Sequence, residues 1–268
     1  SSWLSGDQSQ ADVAYLADGG YVVVWHSPDQ DGSGLGVYGQ RYDAEGQRLG
    51  AEFPINTSTD ANQSGPAVAA LGDGGYVVVW HSEQADANGW DIYGQRFAAD
   101  GSPVDAEFLI NTITDNTQSV PAVAGLADGG FQVMWRSYNQ DGSGWGVFGQ
   151  RFDSDGVPDA AGEYRVNSTT TYDQREPQIG VFADGSSVAV WHSRYQDGSD
   201  WGIYAQRYDA AGVAEGTEFR VNTTTANAQS SPALAVLADG GYVVAWHSNN
   251  QDGSEYGIYA QRYAADGS

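Results

Sequence analysis

The chain has 268 residues and a formal net charge of −24, with 35 acidic residues against 11 arginines and no lysine. A surface this acidic repels nucleic-acid phosphates and anionic bilayers, so neither is an expected partner. With no cysteine there is no disulfide framework and no thiolate metal site, and no apolar run approaches the roughly 20 residues of a membrane helix.

The order of the chain is set by a repeat. Ser1–Ser5, with Trp3 and Leu4, precede a first-strand position at Asp12–Leu16, the tight turn Ala17-Asp18-Gly19-Gly20 and the run Tyr21-Val22-Val23-Val24-Trp25-His26-Ser27. That run returns with its Trp at Trp80, Trp135, Trp191 and Trp246, at steps of 55, 55, 56 and 55 residues. In the second unit Pro66–Leu71, Tyr76–His81, Trp90–Phe97 and Ala106–Asn111 read as strands. Tight Gly/Asp turns join the first to the second and the third to the fourth, and long polar loops make the other connections. Four strands in each of five units predict an all-β, five-bladed β-propeller with four antiparallel strands per blade. We expect a single domain over 1–268, with repeats near 11–65, 66–120, 121–176, 177–231 and 232–268 plus 1–10. The last unit ends after its third strand, so the N-terminal segment is the expected closing strand, with excision from a longer array as the alternative. A solenoid would require polar caps, and none is visible.

Alternate connections of an up-and-down sheet lie at the same end, so tight turns gather at one rim and long loops at the other. At the short-turn rim the third-strand arginines Arg41, Arg96, Arg151, Arg207 and Arg262 are expected to pair with Asp18, Asp73, Asp128, Asp184 and Asp239. The long-loop rim collects His26, His81, His192 and His247, with Arg136 in the third unit. It also collects Asp31, Asp86, Asp141, Asp197 and Asp252, the strand-opening Trp90, Trp145, Trp201 and Tyr256, and the asparagines Asn56, Asn111, Asn167 and Asn222. Aromatic faces among carboxylate, amide and imidazole groups suit a sugar, whose C–H face stacks while its hydroxyls take directional hydrogen bonds. Each group also has a structural reading: the five motif Trp as core, the His as holders of loop carbonyls, the Asp as Asx-turns, the Asn as strand-end turns.

Other chemistry fits less well. Asp29-Gln30-Asp31-Gly32-Ser33-Gly34 opens like a calcium loop but lacks the downstream bidentate Glu, so no cofactor is expected and calcium stays the minor alternative. Four His cannot make a fivefold metal ring once Arg136 breaks it. Neighbouring His and Ser on a strand point to opposite faces, against a nucleophile triad. The acidic residues that occur once, such as Asp91, Asp200, Glu176 and Glu255, form no evident catalytic pair.

The strings Leu-Ala-Asp-Gly-Gly-Tyr-Val-Val-Val-Trp, Gln-Asp-Gly-Ser-Gly, Tyr-Gly-Gln-Arg-Tyr-Asp and Glu218–Thr225 resemble tandem repeats of large secreted bacterial RTX or adhesin-type proteins. That resemblance implies a secreted or cell-surface binding module, without the calcium-binding nonapeptide of the RTX class. In architecture alone the chain is similar to tachylectin-type lectins. The resulting expectation is a multivalent, lectin-like, carbohydrate-binding module, not an enzyme, monomeric, with glycans or polysaccharide as partner. The first unit, with Leu35 at the aromatic position, is expected to have the weakest site. The runner-up is a structural or protein-interaction propeller with an axial ion or water column, and the third reading is a glycan-active enzyme with one asymmetric acidic pocket.

Overall fold

The computed structural model describes residues 6–83 and 89–268; Trp3, Leu4 and Asp86 fall outside them. Among the described residues the chain is all-β, with nineteen strands and no helix. The first sheet holds β1 (Ser9–Tyr15), β2 (Tyr21–Pro28), β3 (Leu35–Tyr42) and β4 (Arg48–Pro54). The second holds β5 (Gln63–Ala70), β6 (Tyr76–Glu83), β7 (Trp90–Phe97) and β8 (Pro103–Leu109). The third holds β9 (Gln118–Gly125), β10 (Phe131–Tyr138), β11 (Trp145–Phe152) and β12 (Tyr164–Arg165), and the fourth β13 (Gln174–Val181), β14 (Ser187–Arg194), β15 (Trp201–Tyr208) and β16 (Ala214–Arg220). The fifth has three strands, β17 (Gln229–Val236), β18 (Tyr242–Asn249) and β19 (Tyr256–Tyr263). Neighbours in each sheet follow chain order, as in the sheets of a propeller. The chain divides into two compact units, Ser1–Trp135 with Gln150–Glu163, and Arg136–Gly149 with Tyr164–Ser268.

The second strands read Val-Val-Val-Trp without alternation because both their faces are covered: from Tyr76 to Trp80 every residue is buried. In the first unit Val22, Val24, Val37, Ile55, Val78, Trp80 and Phe97 form one core between two sheets. In the second, Val188, Val190, Ile203, Val221, Tyr242, Val244 and Trp246 do the same. All five motif Trp are buried.

The first strands start earlier than expected, at Gln63 instead of Pro66 in the second sheet. Gln63 and Ser64 still pair with Ser82 and His81, and a register shift then absorbs one residue before Ala67 meets Val79. The bulged residue takes positive φ whether or not it is glycine: Gln10 51°, Gly65 60°, Val120 54°, Glu176 53° and Ser231 52°. Such a bulge re-aims the side chain at the end of the strand. The fourth strands end before the predicted Asn because that side chain takes over the pairing. Asn56, Asn111, Asn167 and Asn222 Oδ1 accept the backbone N–H of Val37, Ile92, Val147 and Ile203 at 2.6–2.7 Å.

At the tight-turn ends, Arg41–Asp18 and Arg151–Asp128 approach to 4.0 Å and Arg262 contacts Asp239. Arg207 lies instead 3.7 Å from Glu215. The stronger contacts run to the next sheet: Arg41 donates to the Ala99 and Asp100 carbonyls, Arg96 to Ser154 and Arg207 to Ala265. The rim aspartates mainly hold their own turns, as when Gly75 N–H donates to Asp73 Oδ1 at 2.8 Å.

Candidate active site

The residues nominated for the long-loop ends take several structural roles. Asn56, Asn111, Asn167 and Asn222 are buried, and their Nδ2 groups donate back to loop carbonyls, as Asn222 does to Thr224 at 2.7 Å. Asp31, Asp141, Asp197 and Asp252 each accept the N–H two residues on, at 3.1 Å, forming Asx-turns. The other carboxylate oxygens of Asp31, Asp141 and Asp197 lie where a Cβ on Gly36, Gly146 and Gly202 would stand. That explains the glycine after the strand-opening residue. Among the described residues no group of three His, Asp or Glu is placed to hold a metal ion.

The histidines stitch sheets together. Ser9 Oγ contacts His26 Nε2 at 2.7 Å and Ser64 Oγ contacts His81 Nε2 at 2.9 Å, while the bulge N–H of the next sheet's first strand reaches His26 Nδ1 from Gly65. Trp90 rests edge-on against His81, with centroids 5.0 Å apart, and Trp201 packs on His192 at 4.4 Å. Tyr256 lies 6.3 Å from His247 and is 64% exposed. Trp90, Trp145 and Trp201 are half-buried, each leaning on the second strand of its own sheet.

One place departs from this pattern. Arg136 stands where the other second strands carry His, Arg175 where the other first strands carry Ser, Glu176 at the bulge, and Asp200 where three units carry Gly. These four residues line one cavity of about 300 Å³ with His192, Trp201, Ser230, Ser231 and Tyr256. The guanidinium of Arg136 lies 4.5 Å from the centroid of Trp145; Arg175 sits 5.7 Å from Trp145 and 5.6 Å from Trp201. Asp173 Oδ2 accepts from Arg175 at 2.9 Å while its Oδ1 accepts the Trp145 N–H at 3.1 Å. Asp200 lies 3.6 Å from Arg194 Nε.

His192 is neutral in this setting. Burial first, then the charges of Arg175 and Arg136, push its pKa down to about 3. Its Nδ1 accepts the Ser231 N–H at 3.3 Å, placing the proton on Nε2. Since Arg175 replaces the serine that caps this nitrogen elsewhere, His192 Nε2 is a buried donor with no partner among the described residues. Glu176 Oε2, 3.7 Å from Nδ1, therefore faces an uncharged ring and not an imidazolium. Burial, followed by the adjacent Arg175, also lowers the Arg136 pKa from its ordinary value.

A second cavity of about 230 Å³ holds Asp60, Glu83 and Glu107, but two of its carboxylates have structural work. Glu107 accepts the Thr57 N–H at 2.7 Å and Glu83 accepts from Asn62 at 2.6 Å.

No family model and no curated protein matches the chain. Solved structures do. A Dyadobacter fermentans protein of unknown function aligns over 97% of this chain and 80% of its own at TM-score 0.66 and 11% identity. An α-L-arabinofuranosidase of Fusarium graminearum, crystallised with an iminosugar inhibitor, aligns over 96% and 82% at TM-score 0.62 and 12% identity. A GH43 endo-arabinanase from Bacillus licheniformis aligns over 96% and 95% at TM-score 0.52 and 14% identity.

These likenesses correct two expectations. Neither the lectin-like module nor the reading as a non-enzyme stands: two of these three structures, each matching 96% of the chain, are an endo-arabinanase and an arabinofuranosidase. The repeated positions that suggested five equivalent sugar sites are largely engaged in holding the sheets. Sequence reasoning noticed Arg136, weighed Glu176 and Asp200 among the acidic residues without finding a catalytic pair, and missed Arg175. Aligning the units marks Arg136 and Arg175, each of which departs in one unit alone.

Proposed function

We propose that this chain is a glycan-cleaving hydrolase built on a single five-bladed propeller, with its active site at the cavity lined by Glu176 and Asp200. One observation carries the reading: Arg136 and Arg175, which break the repeat, share one cavity with two carboxylates, an indole and a phenol. A pair of carboxyl groups is the minimum apparatus for glycoside hydrolysis, and aromatic faces hold the ring. No helix among the described residues is long and apolar enough to cross a membrane; we propose a polysaccharide as the substrate.

In this reading Glu176, raised on the bulge beside the neutral His192, is the proton donor to the glycosidic oxygen. Asp200, facing Arg194, is the charged partner that either attacks the anomeric carbon or takes a proton from the attacking water. Trp201 and Tyr256 flank the sugar. Reducing-sugar release from arabinan, arabinoxylan, xylan and polygalacturonate is the test. Glu176→Gln and Asp200→Asn are each expected to lower turnover by about 10²–10⁴-fold without changing the melting temperature. The anomeric form of the first product, read by NMR, separates direct attack from water activation. Absence of cleavage across the panel, or full activity in both variants, refutes the reading.

A further inference from the structure

We propose that the cavity holds an anionic sugar, a uronate whose carboxylate binds between the guanidinium groups of Arg136 and Arg175. This rests on the hydrolase reading for its reaction and adds the class of substrate.

Of the 11 cations, five lie on third strands and serve the tight-turn rim. Three lie on fourth strands: Arg48, Arg165 and Arg220, the last two donating through Nε to the Asn167 and Asn222 carbonyls at 2.9 Å. Four occur singly: Arg48, exposed at the start of β4 where β8 and β16 begin with Pro103 and Ala214, and Arg136, Arg175 and Arg194, which gather at this one mouth. In a chain of charge −24 a general need for positive charge would have scattered them.

Burial first, and then the charge of Arg175, disfavours the charged form of Arg136. Asp173 and Glu176 oppose this shift in Arg136 without cancelling it. A bound anion removes the repulsion, which is the usual reason for two partly desolvated guanidinium groups to be held side by side. The indoles crowd both groups: Trp145 lies beneath Arg136, and Trp145 and Trp201 lie 5.7 and 5.6 Å from Arg175. Asp173 occupies one terminal nitrogen of Arg175, while its Nε is buried with no partner among the described residues. A planar fork held in this way suits a carboxylate, whereas the hydroxyls of a neutral pentose need no cation. The cavity, about 300 Å³, is at the lower end of ligand sites and fits a small part of a chain.

The repeat supplies the test variant. Arg136→His with Arg175→Ser installs the residues that the other sheets carry at these positions, so the fold is retained; a melting curve checks it. Calorimetric titration compares a trisaccharide of galacturonate with its carboxyl-reduced, neutral counterpart. Wild type is expected to bind the acid about 30-fold more tightly at low salt, and the double variant to bind both alike. Equal binding of both by wild type, or an acid preference that survives in the variant, overturns the proposal. Acid preference in a protein that cleaves no glycan sinks the hydrolase reading and leaves the subsite; cleavage of neutral glycans without acid preference does the reverse.

Discussion

Asn222 separates a structural role from a binding one. It is buried just past β16, where its Oδ1 accepts the Ile203 N–H at 2.6 Å and its Nδ2 donates to the Thr224 carbonyl at 2.7 Å and to Gln229 Oε1 at 3.1 Å. Asn222→Ala strips all three bonds and leaves a buried N–H in the middle of a sheet with nothing to meet it. An orphaned donor costs about 1–3 kcal/mol, and the two lost acceptor contacts about 1 kcal/mol each, so the total is about 3–5 kcal/mol. That is a large part of the 5–15 kcal/mol by which domains are stable. Asn222→Asp keeps the bond to Ile203 but turns both donors into a charge facing two oxygens. It is expected to be at least as damaging at neutral pH, and to recover partly on acidification, when a protonated carboxyl donates again. Urea unfolding followed by Trp fluorescence reads both variants. A loss below about 1 kcal/mol for Asn222→Ala, accompanied by weaker glycan binding, would refute the structural role.

Two further outcomes follow from burial. Ile203 is fully buried under its fourth strand, while Ile258, its counterpart on β19, is 69% exposed. Ile203→Ala is therefore expected to cost about 2–5 kcal/mol and Ile258→Ala under about 0.5 kcal/mol, measured by the same urea titration; comparable losses would contradict the assigned packing. For His192, the folded pKa of about 3 lies below its ordinary 6.5, so between these values the unfolded chain binds a proton that the folded chain refuses. The contribution is complete above pH 6.5, and stability falls with falling pH by up to about 1.4 kcal/mol per unit until pH 3. Imidazole NMR of the folded protein should show His192 neutral down to pH 5, and a midpoint near 6.5 would contradict its burial between the two arginines.

The repeat made the sheets legible. Continuous Val-Val-Val-Trp runs announce strands covered on both faces, and Gly/Asp turns against long polar loops reveal which strand ends lie together. Roles that depend on a partner 20 to 60 residues away were not readable, because one side chain type serves two purposes. Asn at a strand end looks like a sugar ligand until Ile203 N–H is found on its Oδ1. Arg beside an acidic turn looks like half of an ion pair until its fork reaches carbonyls one sheet further on. Polar Gln63 and Ser64 look like loop until the bulge admits them to the ladder.

The candidate site was hidden for a different reason. Arg136, Arg175 and Asp200 are far apart in sequence and come from β10, β13 and the loop between β14 and β15, so no local motif unites them. The symmetry that conceals them also marks them. In a repeat, a residue that serves the fold recurs because each sheet has the same need, so a position changed in a single unit is released from that need or bound by another. Random release scatters over the surface and seldom brings charge into a half-buried cavity, where an uncompensated ion costs several kcal/mol. The changes at Arg136 and Arg175, each made in one unit alone, do bring charge there, and to the same cavity. A shared chemical task explains that convergence, and loss of constraint does not.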